Sequence, residues 1–277
     1  MFSKRIVDPL GIFFEFSTTK EPILLRDAKS GVCTLTLNRP KNRNALSSEL
    51  ISELQQNLDD IARDKSIRVI ILAGNGSIFS SGHDLKEIRN DSSFGSIHSL
   101  FKHCSNLMLS MKKQPQPIIA KVHGSALAAG CQLMCNCDLA IASETARFAL
   151  PGSSIGLFCS SPAVAVARVA GAKHTMEMLL MGENFNAEDA FRFGLINKVV
   201  ASEELDKTVM TYAEKIAKHS NKTISMGKAA FYKQIDMSLE EAYTFTSEIM
   251  AKNMQEYEAQ EGIDAFLEKR DPSWQGR

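Results

Sequence analysis

Two short stretches decide how this chain reads: Phe79-Ser80-Ser81-Gly82-His83-Asp84 and Gly124-Ser125-Ala126-Leu127-Ala128-Ala129-Gly130-Cys131. Each follows a largely apolar run, Val69 to Leu72 in the first case and Pro117 to Val122 in the second. Such runs suit strands buried on both faces. Each stretch then enters a helical pattern, Asp84 to Ile88 and Gly130 to Cys135. Small residues at a strand end let the backbone approach a ligand, and a helix starting there leaves N–H groups unpaired. Two such junctions on parallel strands can aim two donors at one point, the geometry that stabilises an oxyanion or enolate. Each donor is worth about 3–4 kcal/mol. The plainer reading is that these glycines only make tight turns. Neither stretch is a phosphate loop: G-x-x-x-x-G-K-[ST] is absent, and Gly74-Asn75-Gly76 lacks the third glycine of G-x-G-x-x-G.

Outward from these junctions, the segment Gly31 to Leu37 alternates, with Cys33, Leu35 and Leu37 on one face, and predicts a half-buried strand. Arg39-Pro40 stops it. Ser47-Ser48-Glu49 then supplies an N-cap and a first-turn carboxylate for a helix whose stripe is Leu50, Leu54, Leu58 and Ile61. The segments Gly74 to Gly82 and Gly124 to Ala128 read as loops, and Leu139 to Ala142 as a further short strand. Strands alternating with helices predict an α/β fold with parallel pairing. After about Val200 only helical patterns remain, over Glu203 to His219 and Glu240 to Gln260. The expected organisation is an N-terminal arm over residues 1–20, a core over 21–200, and a helical region over 201–277 that serves assembly.

Composition narrows the function. Lys plus Arg (32) equals Asp plus Glu (32), which removes the electrostatic argument for nucleic acid or an anionic membrane as main partner. No apolar run approaches the roughly 20 residues that span a bilayer. The six cysteines lie in segments that otherwise read as core, so reduced thiols are expected. Cys131, Cys135 and Cys137 lack the further His or Cys ligands a zinc site wants nearby, and packing is the better account. The N-terminus, with Lys4, Arg5, Phe13 and Phe14 ahead of Ser17, Thr18 and Thr19, loosely suits a mitochondrial matrix presequence. Asp8, Pro9, Gly11 and Glu15 argue instead for a plain arm and a cytoplasmic or peroxisomal site.

The same residues carry a family resemblance. Leu37 to Leu46 (LNRPKNRNAL) resembles an N-R-P…N-A-L signature, and Phe79 to Leu85 an F-[SA]-[SA]-G-x-D-[LI] loop. Gly124 to Asp138 resembles G-x-A-x-G-G-G-x-x-L…C-D, and Asn186 to Ile196 resembles A-x-E-A…G-L-[IV]. In this order and spacing they are similar to the crotonase (enoyl-CoA hydratase/isomerase) family. The resemblance implies an α/β crotonase-type spiral of repeated ββα units with a C-terminal helical trimerisation region. It implies a homo-oligomer, trimer or hexamer, and an acyl-CoA thioester as partner, with coenzyme A entering as part of the substrate and not as a permanent cofactor. Carried over by residue, the oxyanion-hole donors fall on the backbone N–H groups of His83 and Ala129. Coenzyme A would lie along Lys41, Arg43, Ser81, Gly82, His83, Asp84 and Leu85, with Phe266, Lys269 and Arg270 resembling a segment that reaches a neighbouring subunit's ligand.

Two positions depart from the family's hydratases, which the resemblance implies should carry glutamates. Here they are Gln132 and Gly152. An amide can hold water but cannot take a proton near neutral pH, and glycine does neither. Losing a general base commonly costs about 10²–10⁴-fold, so weak or absent hydration is expected. His83 follows the loop glycine as in a methylmalonyl-CoA decarboxylase branch that also reads G-H-D, and a tyrosine of that branch aligns near Cys159. The expected function is binding of an acyl-CoA thioester of fatty-acid or lipid metabolism, with an enolate stabilised by the oxyanion hole. Non-catalytic acyl-CoA binding and decarboxylation of a malonyl-type thioester are the alternatives, with Cys159 expected to line the acyl pocket.

Overall fold

A computed structural model of the chain describes residues 21–276, together with a short antiparallel pairing of β1 (Arg5–Val7) and β2 (Phe13–Glu15). The arm or targeting segment expected over residues 1–20 otherwise lies outside the described residues.

Strands β3 (Leu24–Lys29) and β4 (Val32–Leu37) form a hairpin turned by Ser30 and Gly31, both at positive φ, the geometry that matches strand twist across a two-residue loop. Cys33, Leu35 and Leu37 are fully buried and Thr34 and Thr36 half-buried, as the alternation predicts. In α1 (Ser48–Arg63), Ser47 accepts from Leu50 N–H at 3.3 Å, and Leu50, Leu54, Leu58 and Ile61 face the core.

The unit that repeats is strand, strand, helix. It appears as β5 (Val69–Gly74), β6 (Ile78–Ser80) and the pair α2 (Leu85–Asn90) and α3 (Phe94–Lys113). It recurs as β7 (Ile118–Val122), β8 (Ser125–Leu127) and α4 (Ala129–Asn136), then as β9 (Leu139–Ser143), β10 (Arg147–Ala149) and α5 (Ser160–Met181). The segments expected as loops thus contain β6 and β8. Three residues are too few for alternation to declare itself, and their serines and alanines look like turn composition. With β11 (Phe185–Asn186) and β12 (Lys198–Val200) added, first strands enter a six-stranded sheet, ordered β12-β9-β7-β5-β4-β3, and second strands a four-stranded sheet, ordered β11-β10-β8-β6. The chain therefore winds as a spiral, with Phe79 and Phe148 buried between the layers among Leu35, Leu72, Leu107 and Leu133.

After β11 (Phe185–Asn186), α6 (Ala187–Arg192) and β12 (Lys198–Val200) the strands end, as expected. Helix α7 (Leu205–Ala217) lies beyond the expected core boundary yet seals the sheet: Leu205, Val209 and Ala213 pack on Val32, Val69, Ile71, Ile119 and Ile141. Three helices follow: α8 (Asn221–Gln234), α9 (Leu239–Gln255) and α10 (Tyr257–Glu268). No helix among the described residues is long and apolar enough to cross a membrane. All six cysteines are free and buried, and burial pushes the Cys104 thiol up to about 12.

Candidate functional site

The parallel strands β6, β8 and β10 lie side by side, Ser80 opposite Ala126 and Leu127 opposite Ala149. The chain therefore leaves all three at one edge of the small sheet, through Ser81-Gly82-His83, Ala128-Ala129 and Leu150-Pro151-Gly152. Ligands of open parallel sheets bind outside the carboxyl ends of the strands, which is where these segments stand.

The first two loops touch. A Cβ placed on Gly82 would lie 2.9 Å from Ala128 Cβ and 3.2 Å from Ala129 N, and Gly82 has φ +94, so only glycine fits. Gly130 is equally constrained, since a Cβ there would come within 2.3 Å of Ser80 O. The tightness matters for the amides. Leu46 bridges His83 in parallel fashion, with Leu46 N–H donating to Gly82 O (2.7 Å) and Asp84 N–H to Leu46 O (3.2 Å). Successive amides of extended chain point to opposite sides, so the His83 N–H faces away from Leu46. Ala129 is the first residue of α4, and its N–H has no intrahelical acceptor. Two open donors thus emerge from adjoining turns.

A polar brace fixes the first turn. Asn44, fully buried at φ 51, accepts from Arg39 N–H (2.9 Å) and donates to Asn75 O (2.9 Å) and Ile78 O (2.7 Å). Its carbonyl takes the Ser80 hydroxyl at 2.9 Å. Arg39 donates to Ala45 O (2.7 Å) and to Asp84 Oδ2 (3.1 Å). Asp84 also caps α2 by accepting from Lys86 N–H at 3.2 Å. Its carboxylate, expected among the coenzyme contacts, is committed to holding the loop. Neither Arg39, read only as ending a strand with Pro40, nor Asn44 was expected at the site, although the N-R-P…N-A-L pattern contains both.

The remaining candidates divide. Lys41 and Arg43 lie exposed beside the first turn, with Arg43 O accepting from Ser81 N–H at 3.0 Å, and Leu85 is exposed at the start of α2. Gln132, on α4, is buried, and its Oε1 has no hydrogen-bond partner. His83 Nδ1 is also buried without a partner at hydrogen-bonding geometry. Its ring meets Phe101 of α3 edge-on at 5.0 Å, and burial pushes the imidazole below its ordinary value. At the third loop, Leu157 N–H donates to Gly152 O at 2.9 Å. A Cβ on Gly152 would stand 2.1 Å from Leu157 O and 2.7 Å from Cys159 Sγ. The third position is therefore closed by backbone and thiol, not merely bare. Cys159 itself is buried and its thiol pushed up by burial, which disfavours a thiolate nucleophile. Phe266 and Lys269 stand apart, exposed at the C-terminal end of α10, which packs on α8 and α9. Arg270 is paired with Glu261 (2.7 Å) and Glu268 (2.6 Å).

Two sheets wound from ββα units, with open amides at the ends of parallel strands, define an α/β protein of the crotonase class. The enoyl-CoA hydratase/isomerase family model matches residues 27–277. Human enoyl-CoA hydratase domain-containing protein 3, mitochondrial, is 44% identical over 244 residues, 88% of this chain and 80% of that protein. A solved enoyl-CoA hydratase from Mycobacterium smegmatis matches with TM-score 0.90 at 47% identity, covering 92% of this chain and 99% of that one. The solved structure of human enoyl-CoA hydratase domain-containing protein 3 matches with TM-score 0.88 at 42% identity, covering 91% and 100%. The chain belongs to the enoyl-CoA hydratase/isomerase family.

Proposed function

We propose that this protein binds acyl-CoA thioesters of lipid metabolism, with the thioester carbonyl oxygen received by the backbone N–H groups of His83 and Ala129. The observation that carries the reading is the contact of the two turns at Gly82, which brings two open amides to one edge of the sheet. Donors fixed in that way stabilise negative charge on the oxygen, so an enolate or tetrahedral species is the chemistry the site favours. The exposed cations Lys41 and Arg43 beside the first turn suit the phosphates of coenzyme A, which arrives as part of the substrate.

Hydration is the activity this site is least equipped for. At the two positions where the resemblance places glutamates stand an amide and a glycine whose Cβ space is taken by Leu157 O. A non-catalytic binder is favoured by the same observation. The assembly is a homotrimer or a hexamer, supported by apolar side chains left exposed on α9 and α10 (Leu239, Phe266 and Leu267). A solution mass of one chain contradicts that. The mitochondrial names of relatives support a mitochondrial matrix location; fractionation that finds the protein only outside mitochondria contradicts it.

Mass spectrometry of the purified protein with enoyl-, 3-hydroxyacyl- and malonyl-type CoA esters tests the reading. Binding with slow or no crotonyl-CoA hydration is expected, also in Gln132→Glu, because the second carboxylate position stays closed. Failure to bind any ester overturns the proposal; robust hydration by the wild type overturns the account of the missing bases.

A further inference from the structure

We infer that Ala128 is a positioning residue, whose methyl is a spacer between the two turns and keeps the Ala129 N–H aligned with that of His83. The inference rests on the thioester reading above and adds the element that holds the two donors to one oxygen.

Ala128 has φ 48 and ψ −119, the backbone of the first central residue of a type II′ turn. Glycine is the usual occupant there, because an L side chain is strained. The pattern that Gly124 to Asp138 resembles has glycine at this position, whereas this chain has a half-buried alanine. Strain of this kind persists only where the surroundings hold it. Both peptide groups of Ala128 are bonded: its N–H donates to Ala149 O at the end of β10 (2.9 Å), and its carbonyl accepts from Gln132 N–H (3.0 Å). That carbonyl and the Ala129 N–H belong to one planar unit and point opposite ways. The bond to Gln132 therefore aims the open Ala129 N–H out of the helix.

The methyl also stands where the turns meet. A Cβ built on Gly82 would come within 2.9 Å of Ala128 Cβ, so the seam between the turns holds one methyl and has no room for two. Glycine at position 128 would leave that seam empty. It would also let the peptide between residues 128 and 129 rotate over a wide range of ψ at positive φ. The alanine methyl fixes the spacing of the turns and limits the rotation. Hydrogen bonds weaken steeply when misaligned, so the two donors act together only while both are held. Strain at one residue is thus offset by alignment at the next.

Thermal unfolding, calorimetric titration and infrared spectroscopy of the wild type, Ala128→Gly and Ala128→Ser test this, with butyryl-CoA isotope-labelled at the thioester carbonyl as the probe. Two donors on one oxygen polarise the carbonyl and lower its stretching frequency, so the bound frequency reports their alignment. Ala128→Gly is expected to melt about 2–4 °C higher, because relief of strain outweighs the added chain entropy. It should nevertheless bind butyryl-CoA about threefold to tenfold more weakly, with a smaller lowering of the stretch. Ala128→Ser keeps a Cβ in the seam and should restore the wild-type stretch. A residue that only shaped the fold would move the melting temperature alone. An unchanged stretch and affinity in Ala128→Gly, a fall in its melting temperature, or an equal loss in Ala128→Ser overturns the inference while leaving the thioester reading intact. A wild type that does not bind the ester, or that binds it without lowering the stretch, fails at that underlying reading instead.

Discussion

The two ends of α4 treat polar groups in opposite ways. At its N-terminus the Ala129 N–H has no intrahelical acceptor and, one turn on, Gln132 Oε1 is buried without a partner. Just beyond its C-terminus, Asp138 is saturated. Its Oδ2 accepts from Lys228 Nζ (2.7 Å) and Ile118 N–H (2.7 Å), and its Oδ1 from the Tyr232 hydroxyl (2.8 Å). Lys228 in turn donates to Met111 O (3.2 Å) and Gln116 O (3.1 Å), so its three protons all have acceptors. Lys112 lies 4.4 Å from the Tyr232 ring centroid. Burial pushes the Lys228 ammonium below its ordinary value, and the Asp138 carboxylate opposes that shift. Completed bonding at one end ties α8 to the core; incomplete bonding at the other lies where the proposed thioester would bind. A buried polar group that is satisfied serves the fold, and one that is not points to function.

That contrast can be broken from either end. Lys228→Met should have the largest effect, since it strands a buried carboxylate, and about 3–5 kcal/mol of stability should disappear. Urea unfolding measures it, and a loss under about 1 kcal/mol would remove the structural half of the comparison. Thioester affinity of the remaining folded protein should hardly change. Ala129→Pro should act chiefly on the site. Proline at the first position of a helix breaks no helical bond, but its ring enters a fully buried position, so a smaller loss of about 1–3 kcal/mol is expected. Losing one donor should lower any turnover about 10²-fold, or about 3 kcal/mol, and weaken thioester binding about tenfold. Parallel losses of stability and affinity in both variants would erase the distinction.

Much of this was legible in the sequence. The alternation from Cys33 to Leu37, the Ser47 cap and the two strand-to-helix junctions all fold as their patterns predict, because each is decided within a few neighbouring residues. The rest depends on partners distant along the chain. Strands β6 and β8 are three residues long and are held by pairing with distant partners, β6 with β8 and β8 also with β10. Helix α8 buries no residue and so shows no apolar stripe; it is fixed through Lys228 and Tyr232 to Asp138, about ninety positions away. The family resemblance implied a glutamate where this chain has Gly152. It gave no sign that Leu157 O had closed the space, which is a property of how residues 152–159 turn.

The central claim is that two peptide amides share one carbonyl oxygen. A crystal structure with butyryl-CoA bound tests it most directly. The account predicts the thioester oxygen about 2.7–3.1 Å from both His83 N and Ala129 N. An oxygen held by neither amide, or an acyl group lodged away from the Gly82 turn, would contradict it.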